Sequence, residues 1–275
     1  MNRKNFSVLT HAAALGLAYL FSITPRLIGR AKRMPGLYFA HRGLHNIENG
    51  IPENTLAAFQ AAADHGYGIE MDVQLTKDGQ VVVAHDFDLK RICGIEKDVD
   101  ECTYEELCRF PVLGTDQRIP LLKDVLKIVD GKVPLIVEIK YKKIGSAVCR
   151  KTAQILDTYP GTYCIESFHP LALLWYRKFR PDICRGQLAM NFHRDDGKFH
   201  PVYYFPRHLL LNFLTKPDFI AYDYHAKAAI SLTLCRVLFG IPCFAWTVKS
   251  VRELYACERT FDYFIFEGFL PERDK

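Results

Sequence analysis

From residue 37 almost to the end, short apolar runs alternate with stretches of helical spacing. Residues 37–40 are apolar and lead straight into His41-Arg42-Gly43. Pro52-Glu53-Asn54-Thr55 then opens a helical pattern over residues 56–64. Residues 69–86 read as a hairpin: a strand, a Lys77-Asp78-Gly79 turn, and an almost wholly apolar second strand that ends at His85-Asp86. Asp-Gly between such runs is a strong hairpin signal. Further strands are predicted at residues 133–140, 163–168, 183–189, 218–223, 242–248 and 263–266. Helices are predicted at 121–129, 146–158, 171–179, 229–239 and 251–260. Residues 87–117 are polar and irregular, with one short helix expected at 104–108, and read as an excursion over the rim of the fold.

Strand alternating with helix implies a parallel sheet. With the hairpin counted as one strand plus an extension there are eight units, which implies a closed (β/α)8 TIM barrel over residues 35–275. An open doubly wound sheet would carry a Gly-rich phosphate loop after its first strand, and His41-Arg42-Gly43 stands there instead.

Residues 1–34 form a separate unit, an N-terminal hydrophobic helix and a basic linker. Residues 6–23 are apolar apart from Ser7, Thr10, His11 and Ser22. As a helix they would span about 27 Å, slightly short of a ~30 Å hydrocarbon core. Ser22-Ile23-Thr24 before Pro25 is a poor cleavage site, so an uncleaved anchor is the expectation. A helix packed on the domain is the alternative. Arg26, Arg30, Lys32 and Arg33 follow the run while only Arg3 and Lys4 precede it. The positive-inside rule then keeps the rest of the chain on the cytoplasmic side of a membrane.

Composition adds little against this picture. Of 275 residues 49% are hydrophobic, enough for one large core, and the net charge of +5 is too diffuse to argue for nucleic acid. The nine cysteines are odd in number, irregularly spaced and without a Cys-x-x-Cys pair. They read as small buried hydrophobes in a reducing compartment.

The unusual polar residues fall at strand ends, where barrel active sites lie. Glu70 and Asp72 are two apart on a strand and share a face, as do Glu138 and Lys140. Carboxylates pointing into a barrel mouth are costly unless paired or metal-bound. Glu70, Asp72 and Glu138 together make a hard oxygen site suited to Ca²⁺ or Mg²⁺ and not to zinc. Arg42 and Lys140 offer positive charge to an anionic substrate, and His41 and His85 can act as an acid–base pair. Each has a plainer reading. His41 fits a hydrogen-bonded core histidine, Glu138–Lys140 a simple ion pair, and Glu53 a carboxylate at a helix start. His169 fits a helix cap or the rim, and Trp246 packs at the barrel mouth. The aromatic cluster at 199–205 fits either contact with acyl chains or a packed surface loop.

The combination resembles the glycerophosphodiester phosphodiesterase family. The likeness rests on Ala40-His41-Arg42-Gly43, Pro52-Glu53-Asn54-Thr55, residues 70–79, His85-Asp86, Val137-Glu138-Ile139-Lys140, Ser167-Phe168-His169 and Trp246-Thr247-Val248, in order from residue 37 onward. The resemblance implies a TIM barrel with one divalent metal held by Glu70, Asp72 and Glu138, and His41 and His85 as general base and acid. Arg42 and Lys140 would bind phosphate, Glu53 would support the first loop, and Trp246 would face substrate. It implies hydrolysis of a glycerophosphodiester to glycerol 3-phosphate and an alcohol, by way of a cyclic phosphate formed by the substrate's own hydroxyl. A lysophospholipase D acting on lipids and an inactive membrane-tethered binder are the alternatives. Two departures stand out. Phe266-Glu267-Gly268-Phe269-Leu270-Pro271 stands where the family usually ends its last strand with Thr-Asp-x-Pro, and Lys249 follows Trp246-Thr247-Val248 where the family usually has Asn. Both are expected on the rim, bearing on substrate choice.

Overall fold

The computed structural model describes residues 3–28, 34–142, 145–190 and 204–272. Its strands in chain order are β1 (Tyr38–Ala40), β2 (Gly68–Leu75), β3 (Val81–Val83), β4 (Asp88–Leu89), β5 (Ile95–Asp98), β6 (Leu135–Ile139), β7 (Tyr163–Ser167), β8 (Arg185–Ala189), β9 (Phe219–Asp223), β10 (Cys243–Val248) and β11 (Tyr263–Phe266). Eight of them, β1, β2 and β6 to β11, pair in parallel, and β1 lies between β11 and β2, which closes the barrel. β3 pairs antiparallel with the outer end of β2, so the predicted hairpin is one stave plus an extension. The helices are α1 (Arg3–Ser22), α2 (Leu56–Asp64), α3 (Lys90–Cys93), α4 (Tyr104–Leu107), α5 (Leu122–Val129), α6 (Ala147–Leu156), α7 (Pro170–Phe179), α8 (Tyr204–Arg207), α9 (Asn212–Thr215), α10 (Ile230–Phe239) and α11 (Val251–Cys257).

Two layers fill the barrel. The lower one is aromatic: Phe39, Phe219, Phe244 and Tyr263 pack together, with Phe244 and Tyr263 stacked at 4.3 Å. Room for these rings comes from small neighbours. A Cβ on Gly186 would lie 2.1 Å from the Phe219 ring. Further along the same inward faces stand Glu70, Asp72, Glu138, Glu166 and Trp246. Because strand side chains alternate, each inward position is followed two residues later by another. The plug therefore seals one end of the barrel and lifts the polar residues toward the other.

Residues 87–117 are more ordered than their polarity suggests. β4 and β5 form a two-stranded sheet, α3 and α4 follow, and Leu89, Ile92, Val99, Leu107, Val112 and Ile119 make a core of their own over Val82 and Ala84. Elements of two to four residues carry no sustained period, so the pattern of the sequence does not announce them. Six of the nine cysteines are buried and all nine are free.

α1 stands partly alone. Its last turn docks: Phe21 packs on Phe213 at 5.2 Å, and the Asn212 amide donates to the Ile23 carbonyl at 3.2 Å. Earlier side chains are exposed, including Leu9, Leu15 and Leu17. Among the described residues no helix is long and apolar enough to cross a membrane. The expected N-terminal helix is present, then, but a spanning anchor has no support in it. The basic residues at 30, 32 and 33 lie outside the described residues.

Candidate active site

Register brings the acidic residues together. Asp72 on β2 sits directly beside Glu138 on β6, and Glu70 lies one inward step earlier. β2 leaves the barrel after Val73, where its pairing with β6 stops, so Asp72 is at the barrel end although it is in mid-strand. One oxygen from each of Glu70, Asp72 and Glu138 lies within 4.8 Å of the other two, and all three residues are buried. Lys140 Nζ stands 3.1 Å from Glu138 Oε1 and 3.2 Å from Asp72 Oδ1, so the expected ion pair exists and includes a second carboxylate. Asp72 Oδ2 also accepts a hydrogen bond from Asn54 Nδ2 at 2.9 Å.

The first loop is shaped to feed this cluster. Arg42 has φ of 56°, a left-handed conformation uncommon outside glycine. There its backbone N–H donates to Glu70 Oε2 at 3.1 Å. Gly43 follows at φ 81°, and a Cβ on it would fall 2.8 Å from the Ala58 backbone. The loop therefore rests directly on α2, which explains the glycine of His41-Arg42-Gly43. The cap of α2 belongs to Thr55, whose Oγ1 accepts from the Ala58 N–H. Glu53 does not serve the helix start, contrary to the plain reading. Its carboxylate is taken by Arg42 Nη1 at 2.7 Å and by both terminal nitrogens of Arg91 at 2.7 and 3.0 Å.

Burial and mutual repulsion set the charges. Burial, then the neighbouring Asp72, Glu166 and Glu138, pushes the Glu70 carboxyl well above the usual carboxylate range. Burial lifts Glu138 to about 7 against the pull of Lys140. Burial also opposes the charge on Asp72, but Lys140, His85, Arg42 and the Asn54 amide outweigh it and hold that carboxyl below its ordinary value. The cluster thus holds carboxyl groups that burial strongly disfavours as anions. Asp72 Oδ1, close to Lys140, makes no hydrogen bond of good geometry. Three hard oxygen donors short of positive charge fit a divalent cation.

Both expected histidines reach the same mouth. His41 follows β1, and its Nδ1 lies 2.5 Å from Glu267 Oε2. The other nitrogen, Nε2, faces Glu70 at 4.0 Å. His85 follows the hairpin, with Nδ1 2.6 Å from Asp86 Oδ1. In each ring the carboxylate at Nδ1 favours an N–H there and leaves Nε2 for chemistry. Burial lowers the pKa of both imidazoles; Glu267 partly offsets this at His41, and Asp72 at His85.

His41, Arg42, Glu53, Glu70, His85, Glu138 and Trp246 all line one polar cavity of about 340 Å³. Asp72 and Lys140 join them through Arg42 and Glu138. Trp246 packs edge-on against Phe168 at 5.6 Å, as expected at the mouth, and its buried Nε1 makes no hydrogen bond among the described residues. His169 plays both anticipated parts: Nδ1 accepts from the Leu171 N–H at the start of α7, and the ring stacks on Tyr141 at 4.4 Å. Of the aromatic cluster at 199–205, only Tyr204 and Phe205 lie within the described residues.

Several contributors had no contact or partner foreseen from the sequence. Glu267 and Lys249, the two departures on the rim, pair with each other at 2.7 Å. Gln74 Nε2 donates to the carbonyls of Ala84 and Asp86 at 2.8 and 2.6 Å, bracing the segment that carries His85. Arg91, from the ordered excursion, ties Asp86 to Glu53. Glu166 sits beside Glu138 in register, fully buried, with Oε2 unpartnered among the described residues; burial and the charges of Glu138 and Asp72 keep its carboxyl well above the normal range. Only Gln74 carries a local signal, an amide two residues past Asp72 on the face that Glu70 and Asp72 share.

A sequence model of the Glycerophosphoryl diester phosphodiesterase family matches residues 41–261. The chain belongs to that family. It is 41% identical over 193 residues to a glycerophosphodiester phosphodiesterase of Caldanaerobacter subterraneus, covering 62% of this chain and 77% of that one. It is 35% identical over 157 residues to Lysophospholipase D GDPD1 of Rattus norvegicus, covering 52% of this chain and 48% of that one. Among solved structures, a glycerophosphodiester phosphodiesterase from Thermotoga maritima superposes with a TM-score of 0.65 at 26% identity, over 86% of this chain and 96% of that one. In family terms, the motif-bearing residues of this chain are those that line the mouth described above.

Proposed function

We propose that the chain hydrolyses glycerophosphodiesters to glycerol 3-phosphate and an alcohol. The observation that carries this reading is the pair of imidazoles, each gripped by a carboxylate at Nδ1, lining the cavity that Glu70 and Glu138 of the buried carboxylate trio also line. Glu70, Asp72 and Glu138 would hold one divalent cation, Ca²⁺ or Mg²⁺ by the hardness of the donors. When bound, it supplies Lewis-acid polarisation of the phosphoryl oxygens. Arg42 and Lys140 bring positive charge to the phosphodiester anion. His41 Nε2 takes the proton of the attacking hydroxyl, and His85 Nε2 protonates the departing alcohol oxygen. Both rings are biased toward neutrality by burial. A phosphodiester anion beside them raises their pKa, so the proton that His85 delivers is acquired along with substrate. Trp246 Nε1 is a donor in want of an acceptor and suits a substrate oxygen.

The test is release of glycerol 3-phosphate from glycerophosphocholine by the full chain, supplied with Ca²⁺ or Mg²⁺ and then with a chelator. Chelator-sensitive release is expected; no product with any divalent cation would sink the reading. The cation should also stabilise the fold by ~2.7 kcal/mol at a hundredfold excess over its Kd, read as a rise in Tm. Glu70→Gln should abolish that rise.

The exposed apolar side chains of α1 support a place at the cytoplasmic surface of a membrane. Flotation of the full chain with anionic vesicles, lost on deleting residues 1–22, is the expected result. Equal flotation of both forms would remove the helix from the reading.

A further inference from the structure

A second cavity, of about 570 Å³, adjoins the polar one, and Glu138 and Phe168 line both. Away from that shared wall its character changes. Phe87, Tyr141, Pro170, Phe205, Pro206 and Leu211 make an apolar lining. Phe205 is 51% exposed and Phe87 38% exposed. Aromatic rings left partly wet around an apolar hollow mark a surface that gains from being covered. Its charged lining is Glu138 and Lys140, and Lys140 touches the acidic cluster. A choline or sugar alcohol would find few partners in the hollow, whereas a hydrocarbon chain would find apolar side chains.

We propose that this cavity holds the acyl chain of a monoacyl glycerophosphodiester, a lysophospholipid, whose phosphodiester lies next door in the polar cavity. The proposal rests on the phosphodiesterase reading and narrows its substrate class. One cavity accommodates one chain; a diacyl lipid would leave its second chain in water. Chemically the step is the same hydrolysis. The bond from phosphorus to the head-group oxygen breaks, that oxygen takes a proton, and the oxygen of water ends on phosphorus. The products are a monoacylglycerol 3-phosphate and the free alcohol.

The experiment compares choline release by the full chain from glycerophosphocholine and from lysophosphatidylcholines of increasing acyl length, each below its critical micelle concentration. Burial of each added methylene should raise kcat/KM about fourfold until the cavity is filled. Phe205→Asp and Phe87→Ser should cut kcat/KM on the longest chain about tenfold and leave glycerophosphocholine turnover within about twofold. That unchanged turnover also reports that the variants fold. A flat length series with active hydrolysis of glycerophosphocholine overturns the proposal and spares the phosphodiesterase reading. No choline from any substrate overturns both. A full length dependence in the two variants overturns the location of the chain.

Discussion

His41 and His85 arrive at one cavity by opposite routes. His85 is oriented by its own neighbour, Asp86, and the hairpin end that carries both is braced by Gln74 from the paired strand. His41 is oriented by Glu267, 226 residues further along the chain, which reaches it only because β11 docks beside β1. The first arrangement is local and half-open to water; the second is the product of barrel closure and is more deeply enclosed. A ring fixed by distant structure depends on the whole fold, while a ring fixed by its neighbour depends mainly on a turn.

Removing the rings themselves should have the largest effect. His41→Ala and His85→Ala should each lower kcat for head-group release by ~10² to 10⁴. A variant with near-normal turnover would strip that histidine of its role and break the symmetry of the pair. Next comes the orienting carboxylate. Glu267→Gln should cost about 10²-fold in kcat, because an amide can present N–H toward Nδ1 and favour the wrong tautomer. Asp86→Asn should cost about 10-fold, since the His85 side chain is 33% exposed against 15% for His41 and water can stand in at the ring. Equal losses would erase the contrast between remote and local support.

The pH profile sharpens the same contrast. His41 must be neutral to act as a base, and burial already lowers its pKa from the ordinary 6.5. The acid limb of kcat/KM should therefore lie below 6.5. Glu267 raises that pKa, so Glu267→Gln should move the limb to still lower pH. A shift to higher pH would contradict the assignment of that limb to His41. The smallest effect is expected at Lys249→Asn. Its side chain is 63% exposed and its ion pair with Glu267 is a rim contact, a type worth roughly 0–1 kcal/mol. Turnover within about threefold of the parent is the outcome to check.

What could be read from the sequence follows the same division between local and remote. The hairpin, the alternation of eight staves and α2, whose observed bounds Leu56–Asp64 equal the expected ones, rest on periods and turn residues that neighbours declare. Glu70 with Asp72, and His85 with Asp86, are legible for the same reason. Glu267 was noticed only as a departure from a motif, because nothing near it in the chain says that a histidine waits across the seam. Asn54, Arg91 and Glu166 escaped likewise: an amide, a cation and a carboxylate acquire meaning from what tertiary structure sets beside them. For Glu53 the helix-start reading failed, because Thr55 supplies the cap, while Arg42 of the first loop and Arg91 of α3 claim the carboxylate.

The seam between β1 and β11 also has a temporal consequence. During synthesis the segment bearing His41 emerges among the earliest parts of the barrel, while Phe266 and Glu267 emerge more than two hundred residues later. Until those residues clear the ribosome, β1 lacks one flanking strand and His41 lacks its anchor. Glu267 can therefore orient His41 only once both edges of the seam have been made.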